Sequence, residues 1–302
     1  MDRLDAMAVF VAIIDAGSLS AAARRLDTPL ATVSRKLSDL EARMKVRLVI
    51  RSSRRLALTD AGRDYLVACR NILEQVDEAE RTAAGEYVRA HGDLVIAAPL
   101  VFGRLHATPI IAAFLAQQPD IDVRLVLGDR VVNLLEDHID IAMRIGELPD
   151  SSLVATRVGE IRRVVCASPG YLARHPVPLV PADLAVHQCV SFDSLLSGSA
   201  WVFPGERGEE RVAPRSRLTV NSADAAIAAA LAGLGVTRVL SYQVAEACRT
   251  RHLVRVLQDH EPPAVPVSLV YGGRGRLPMK CRVFVDFAVG QLRARLAEGS
   301  RA

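Results

Sequence analysis

The beginning of the chain carries apolar side chains at intervals of three and four residues, the pattern of helices that pack together on one face. The positions that predict a first helix are Leu4, Met7, Phe10, Val11 and Ile14. Gly17 predicts its end, and Ser18 or Ser20 can cap the short helix that follows. The turn residues DTP at 27–29 interrupt this second helix. Two short helices joined by a tight turn predict a helix-turn-helix.

The third predicted helix, LATVSRKLSDLE at 30–41, has two faces of different character. Val33, Leu37 and Leu40 fall on one apolar stripe, which predicts packing against the first helix. Polar side chains cover the other face. The segment that follows, VRLVIRSSRRLALT at 46–59, alternates apolar and polar residues on both sides of RSSRR. This pattern predicts a β-hairpin with a cationic tip, a wing.

A single long helix is predicted after the wing, over 60–90, with Thr59 as its N-cap. The apolar positions that recur along it are Leu66, Cys69, Leu73 and Val76. They form a narrow seam, and a helix between two domains offers such a seam nothing in its own chain to pack on. We therefore expect this seam to contact the same helix of a second copy.

Strand and helix patterns alternate in the rest of the chain. GDLVIAAP, IDVRLVLG and DIAMRIG predict strands, and the segments GRLHATPIIAAFLAQQP and VVNLLEDHI predict helices between them. This βαβ rhythm is typical of a parallel sheet. RRVVCAS begins what looks like a second subdomain, and PVSLVYGG at 266–273 returns the chain to the first.

Composition agrees with a small domain joined to a larger one. The chain has 302 residues, of which half are hydrophobic. Charges within MDRLDAMAVF are unlike a signal peptide, and no apolar run approaches the roughly 18 residues of a membrane span. The five cysteines are scattered without metal-ligand spacing, so we expect reduced thiols, no metal and a cytoplasmic protein.

Positive charge is concentrated near the predicted helix-turn-helix. Residues 24–55 contain ten Lys or Arg and three Asp or Glu, so this segment carries +7 and the rest of the chain −3. Such a basic block predicts a polyanionic partner, and the helix-turn-helix predicts double-stranded DNA. The residues expected to contact DNA are Ser18, Ser20, Leu30, Thr32, Ser34, Arg35 and Lys36, with Arg51, Ser53, Arg54 and Arg55 on the wing.

The segment FVAIIDAGSLSAAARRLDTPLATVSRKLSDLEARMKVRLVIRSSRRLALTDAG resembles the LysR-type transcriptional regulators along its whole length. IDIAMRIGELPDSS at 139–152, ASPGYLARH at 167–175 and FVDFAVGQL at 284–292 are similar to the effector domain of the same family. The resemblance therefore covers nearly the whole chain. Family members commonly have Gln or Pro at the start of the reading helix, where this chain has Leu30.

The resemblance implies the fold class and three regions. An N-terminal all-α winged helix-turn-helix (1–59) and a long linker and dimerisation helix (60–90) precede a C-terminal α/β effector domain (91–302). That domain would have two lobes, like the type 2 periplasmic binding proteins, with lobe I at about 91–163 and 267–302 and lobe II at about 164–266. The implied partners are DNA, further copies in a homodimer or homotetramer, a small organic effector and RNA polymerase, at the nucleoid.

A cleft between such lobes would bind the effector, and no other cofactor is expected. The candidate residues are Leu100, Val101, Phe102, Asp129, Arg144, Asn221, Ser222 and Thr237. Relatives have Ser or Thr where this chain has Leu100 and Val101, so only backbone N–H groups at the helix start remain for an anion. For Asp129, Arg144 and Asn221 the alternatives are a surface turn, a structural ion pair and helix capping respectively.

Motifs of catalysis are missing from the sequence. We find no G-x-S-x-G, no H-E-x-x-H and no G-x-G-x-x-G after a strand, which favours a regulator over an enzyme. Two other readings stay open at this point. The second domain alone suggests a sensor like the solute-binding proteins with no direct role on DNA, and a catalytic α/β domain with a DNA-binding head is the third.

Overall fold

The computed structural model describes residues 2–51, 56–83, 89–130, 132–134, 136–149, 153–192, 200–205, 208–273 and 277–299. The chain divides into two compact units, Met1–Arg89 and Ala90–Ala302.

The N-terminal unit is a winged helix-turn-helix, as predicted. Its elements are α1 (Arg3–Asp15), α2 (Leu19–Arg25), α3 (Leu30–Met44), β1 (Val49–Arg51), β2 (Leu56–Leu58) and α4 (Asp60–Ala83). The antiparallel pair of β1 and β2 forms the wing. Val33, Leu37 and Leu40 of α3 are buried in one cluster with Phe10 and Ile13 of α1, so the predicted apolar stripe is confirmed. Burying each such side chain contributes about 1.5–3 kcal/mol.

Three local contacts fix the wing relative to the helices. The Glu41 carboxylate near the end of α3 accepts hydrogen bonds from the backbone N–H groups of Leu48 and Val49, at 2.8 and 3.1 Å. The Thr59 hydroxyl accepts from the Gly62 N–H at 2.9 Å, which is the N-cap expected for α4. Gly62 itself lies so close to the Leu48 carbonyl that a Cβ would fall 1.9 Å from its oxygen, and only glycine fits there.

The first turns of α4 belong to the core of this unit, contrary to the prediction that the seam has nothing in its own chain to pack on. Leu66 is 8% exposed and Cys69 is fully buried, both in the cluster that contains Phe10. The ring of Tyr65 lies 5.7 Å from that of Phe10, and Arg70 forms an ion pair with Asp15 of α1. Leu66 and Cys69 are therefore occupied by α1 and are corrected from dimer contacts to core residues.

The second unit begins with lobe I, which contains the first strands of this larger domain. In order it contains β3 (Gly92–Ala98), α5 (Leu100–Phe102), a π-helical turn (Gly103–Ala107), α6 (Thr108–Leu115), β4 (Ile121–Leu127), β5 (Ile141–Ile145) and β6 (Leu153–Ile161). The three predicted strands are confirmed. The helix predicted over VVNLLEDHI is wrong, because the described residues of 132–139 form turns. There the Asp137 carboxylate accepts from the Asn133 N–H at 2.9 Å, which closes a turn instead of a helix.

Lobe II follows without interruption. It contains β7 (Arg163–Ala167), α7 (Pro169–Leu172), a 3₁₀ helix (Pro181–Val186), β8 (Cys189–Phe192), β9 (Trp201–Gly205), β10 (Gly208–Val212), β11 (Ser216–Val220), α8 (Ala223–Leu231), β12 (Val236–Leu240), α9 (Ser241–Arg249), β13 (Val254–Val256) and a second 3₁₀ turn (Gln258–His260). The five-stranded sheet has the order β11-β8-β12-β7-β13, and β9 and β10 form a separate hairpin.

The chain returns to lobe I through β14 (Val265–Gly272) and α10 (Met279–Gly299). The resulting five-stranded sheet has the order β4-β3-β5-β14-β6. β3 pairs parallel with β4 and β5, as predicted, whereas β14 is antiparallel to both neighbours. The sheet is therefore mixed: the strand that returns from lobe II, β14, runs against the direction of β5 and β6. Its core packs against α6 and α10, with Phe114 and Phe284 in edge-to-face contact at 5.1 Å.

Within the described residues, no single helix has the length and apolar character to cross a membrane; α1 and α2 pass that test only as a pair bent by 117°. All five cysteines are free thiols.

Candidate DNA-contacting surface and ligand cleft

The polar face of α3 lies on the surface of the N-terminal unit. Leu30 is 48% exposed, Arg35 is exposed, and Thr32 and Ser34 are half-buried beside them. The apolar face of the same helix is buried, so the two faces expected from the sequence are separated by packing. This surface therefore presents the Arg35 guanidinium and the Thr32 and Ser34 hydroxyls, which are groups that bond base edges and phosphates.

The N-terminal end of α3 adds backbone donors to this surface. No side chain caps it, because Pro29 occupies the N-cap position. The N–H groups of Thr32 and Val33 donate to the Pro29 carbonyl, while the first N–H groups of a helix have no partner within it. Such an end attracts phosphate. Ser18 and Ser20 are exposed at α2, and the Ser18 hydroxyl accepts from the Ala21 N–H at 3.1 Å as the N-cap.

Lys36 differs from its neighbours because its ammonium has an acidic partner. Its Nζ lies 2.7 Å from a carboxylate oxygen of Asp5 on α1, and the lysine side chain is 24% exposed. This ion pair holds Lys36 toward α1. The wing tip with Ser53, Arg54 and Arg55, and the side chain of Arg51, lie outside the described residues.

Beyond the core, α4 keeps apolar side chains at its surface. Leu73 and Val76 are half-buried, and Ile72 is 39% exposed. Ile72 was missed in the sequence, although it stands four residues before Val76 and thus on the same face. These three residues form the distal α4 patch.

A cavity of about 860 Å³ opens between the two lobes of the second unit. Lobe I contributes mainly apolar residues, among them Ala97, Pro99, Val126, Leu127, Met143 and Ile145. Lobe II contributes polar and aromatic residues, among them Arg163, Ser191, Trp201, Thr219, Arg238 and Tyr242. Each lobe also contributes two arginines, and lobe II adds Phe192, Pro214, Val239 and Leu240, so both walls are mixed and the lobe I wall is the more apolar of the two.

Of the residues predicted for the cleft, the cavity brings together Asp129 and Arg144. Val101 and Phe102 are 2% and 0% exposed and point into the core of lobe I, so their prediction is wrong. Leu100 is 38% exposed but does not line the cavity.

The three predicted residues of lobe II are also placed elsewhere. Thr237 is fully buried, and its hydroxyl donates to the Val190 carbonyl at 3.0 Å, between β12 and β8. Asn221 and Ser222 precede α8 and do not line the cavity, with Ser222 at the N-cap position. The residues that sequence reasoning missed are Arg163, Ser191, Trp201 and Arg238. They stand on separate strands, and only the pairing of those strands brings them together.

Arginine dominates the charge of the cleft. The lining includes four arginines, Arg130, Arg144, Arg163 and Arg238, and one acid, Asp129. Asp129 accepts from the Leu100 N–H at 3.1 Å, so a carboxylate of the chain already occupies the start of the helix after β3. Arg130 is paired with Asp137 at 2.8 Å. Arg144 donates to the Val132 carbonyl, and burial lowers the pKa of its guanidinium.

Arg238 is the most buried of these cations. Its guanidinium lies 5.4 Å from the ring centroid of Trp201 and 5.7 Å from that of Phe203. Nη1 donates to the Val202 carbonyl at 3.0 Å. Burial, with a smaller effect of the charge on Arg163, lowers the pKa of Arg238 to about 10. Within the described residues no carboxylate pairs with it.

Two family models match this chain and together span most of it. Residues 4–63 match the bacterial regulatory helix-turn-helix protein of the lysR family, and residues 89–293 match the LysR substrate binding domain. The chain is a LysR-type transcriptional regulator. It binds DNA through the N-terminal unit and carries an effector-binding domain, which disfavours a sensor without a role on DNA.

Relatives of this LysR-type regulator include proteins that repress and proteins that activate transcription. An HTH-type transcriptional repressor of Pseudomonas aeruginosa is 37% identical over 96% of this chain and 92% of its own. The HTH-type transcriptional activator AaeR of Escherichia coli is 30% identical over 95% of this chain and 93% of its own. The relatives of this chain thus include both a repressor and an activator.

Solved structures of full-length LysR-type proteins share the fold. CrgA of Neisseria meningitidis superposes with a TM-score of 0.62 at 30% identity, covering 97% of this chain and 99% of that one. The Vibrio cholerae virulence activator AphB has a TM-score of 0.61 at 28% identity, covering 96% and 99%. Among the described residues, no group of three or more His, Cys, Asp and Glu side chains is placed to hold a metal ion.

Proposed function

We propose that this regulator reads DNA with the exposed face of α3 and that a small organic anion in the lobe cleft controls this binding. The first part rests on the separation of faces in α3, which leaves Leu30, Thr32, Ser34 and Arg35 exposed or half-buried opposite a buried stripe. Arg35 would bond a base edge, and the wing arginines Arg51, Arg54 and Arg55 would contact phosphates. Leu30 would touch a thymine methyl group.

Arg35→Ala tests the reading role. If Arg35 donates two hydrogen bonds to a base, its loss should cost about 1–3 kcal/mol on the operator and relax specificity at one position. Lys36→Ala is the matched control, because its ammonium is paired with Asp5 and specificity should survive its removal. Binding constants are measured on operator and random duplexes at several salt concentrations. An equal loss for Arg35→Ala on both duplexes would contradict base reading.

The second part rests on the charge of the cleft, where four arginines face one acid that is already bonded to the chain. Such a lining attracts an anion, and the more apolar wall, that of lobe I, suits an apolar body on the same molecule.

Carboxylates and their uncharged amides provide the test of a cleft anion. A ligand at a hundredfold excess over its Kd raises the free energy of unfolding by about 2.7 kcal/mol. Thermal unfolding should therefore shift upward with apolar carboxylates and not with the matching amides. Amides that stabilise as well as the acids would remove the anionic part of the proposal.

For assembly, we propose that the distal α4 patch, Ile72, Leu73 and Val76, pairs with the same patch of a second copy, and that dimers join into tetramers. A two-fold dimer matches operators built from two half-sites. The regulator would act at the nucleoid in the cytoplasm, because its DNA lies there, and would contact RNA polymerase from that position. Sedimentation and cross-linking to polymerase on operator DNA test these steps.

A further inference from the structure

The sheet of lobe II changes character along one of its faces. Under the β9–β10 hairpin this face is apolar, with Val165, Cys189 and Val236 in a cluster with Trp201 and Phe203. Toward the cleft the same face becomes polar. Ser191 and Thr219 are register partners on β8 and β11, and both line the cavity.

Two arginines extend this polar end. Arg238 pairs in register with Val165 of β7, and Arg163 stands two residues before Val165 on the same strand. Residues two apart on a strand project from the same face, so Arg163 and Arg238 are diagonal neighbours across β7 and β12. Thr237 lies beside Val190 in the parallel pair β12–β8, which places Arg238 on the same face as Ser191.

This pair of like charges has no acid to balance it among the described residues. Neighbouring like charges on a sheet repel each other, and a cation held partly out of water, as Arg238 is, costs free energy unless an anion accompanies it. Arg238 is held in place by Trp201, Phe203 and the Val202 carbonyl, which use its faces and one of its N–H groups. Its other N–H groups make no hydrogen bond within the described chain, and the residue lines the cavity.

The opposite wall differs from this cluster: among its described lining residues there is no serine or threonine, and one of its two arginines is bound to an acid. The start of the helix after β3 is bonded by Asp129, and a second carboxylate there would meet that charge. Arg130 is paired with Asp137. Arg144, like Arg238, donates to one backbone carbonyl, that of Val132, and is therefore the competing cation for an anion in the cleft. The rest of that wall is largely apolar, with Val126, Leu127 and Met143 among its residues.

We infer that the ligand lies in the cleft with its anionic group on lobe II, between Arg163, Arg238 and the hydroxyls of Ser191 and Thr219, and with its apolar body on lobe I. The ligand class is a monoanion, such as a carboxylate, on an apolar body. This inference rests on the proposed function of the cleft and adds the orientation of the ligand. It moves the anion away from the helix start at Leu100, where the sequence placed it.

The only tryptophan of the chain, Trp201, lies at this site and reports on it directly. The probes are benzoate, 3-phenylpropanoate and 4-methylpentanoate, each titrated into the full-length protein while Trp201 emission is followed. We expect a saturable change in emission. Arg238→Gln and Arg163→Gln should each raise the Kd roughly 10- to 100-fold, which corresponds to one lost charge-assisted hydrogen bond.

Arg249→Gln is the matched control, because it removes an exposed arginine of α9 that does not line the cavity, and it should change the Kd less than about threefold. Arg144→Gln removes the cleft arginine of the opposite wall and distinguishes the two orientations of the ligand. Arg163 is exposed, so its variant keeps the test valid if Arg238→Gln does not fold. Weakening by Arg144→Gln alone would place the anion on lobe I and overturn the inference while the proposed function stands. A wild-type protein that responds to none of the three probes would contradict both.

Discussion

His106, which lies in lobe I, should make the free energy of unfolding depend on pH. Its ring lies 4.8 Å from the Phe102 ring and 5.4 Å from the Tyr242 ring of lobe II. Both ring nitrogens are buried, and among the described residues neither has a hydrogen-bond partner. Burial, with a smaller effect of the charge on Arg295, lowers the pKa of His106 from 6.5 to about 4. The folded protein therefore holds this imidazole neutral where an unfolded chain would protonate it.

The direction and size of this pH dependence follow from the difference between the pKa values of His106 in the folded and unfolded states. Because the unfolded state binds the proton more tightly, stability falls as the pH drops through about 6.5 and the loss levels off below about 4. At pH 5 the two pKa values correspond to a loss of about 2 kcal/mol. Solvent reaches part of the ring, and screening reduces the expected loss to about 1–2 kcal/mol.

His106→Phe keeps an aromatic ring between Phe102 and Tyr242 and removes both buried nitrogens. At pH 7.5 we expect the variant to be as stable as the wild type or more so, because an unpaired buried polar group costs about 1–3 kcal/mol. Toward pH 5 the free energy of unfolding of the variant should exceed that of the wild type by about a further 1–2 kcal/mol, because the variant has no imidazole to protonate. Urea unfolding at pH 7.5, 6 and 5, followed by Trp201 fluorescence, measures this in the second unit.

The test compares the free energy of unfolding of the wild type with that of His106→Phe at each pH. Burial and the charge on His175 also lower the pKa of His187, so some pH dependence remains in the variant. If the stability curves of wild type and His106→Phe ran parallel from pH 7.5 to 5, the argument from burial would be refuted.

The burial and exposure of single side chains also determine the outcome of substitution and chemical labelling. Leu73→Asp should dissociate the oligomer in sedimentation without unfolding the N-terminal unit. Leu66→Asp should instead unfold that unit. The reverse pattern would show that Leu66, and not Leu73, lies at the interface between copies. Val101→Ala should lower the free energy of unfolding by about 1–3 kcal/mol and leave benzoate affinity within twofold, because this side chain lies in the core. Burial raises the pKa of Cys166 and Cys189 to about 12, so alkylation at pH 8 should modify them only after unfolding, and rapid labelling of the native protein would disprove this.

Much of the N-terminal unit could be predicted from sequence because its contacts are local. Helical spacing placed Val33, Leu37 and Leu40 in the core, and the turn residues at 27–29 marked the break before α3. The basic charge of 24–55 pointed to a polyanion without any structure. In the second unit β3, β4 and β5 were equally readable, since each carries a strong apolar pattern, whereas most strands of lobe II were not predicted.

Only the tertiary structure decided which residues share a surface. Leu66 and Cys69 fit a dimer seam by spacing, yet α1 covers them within the same chain. Val101 and Thr237 fit a cleft wall by motif, yet one enters the core of lobe I and the other bonds Val190. Arg163 and Arg238 are far apart in sequence and meet because β7 and β12 pair in one register. Periodicity describes a residue's own element, whereas a ligand site depends on the pairing of distant strands, which no local pattern records.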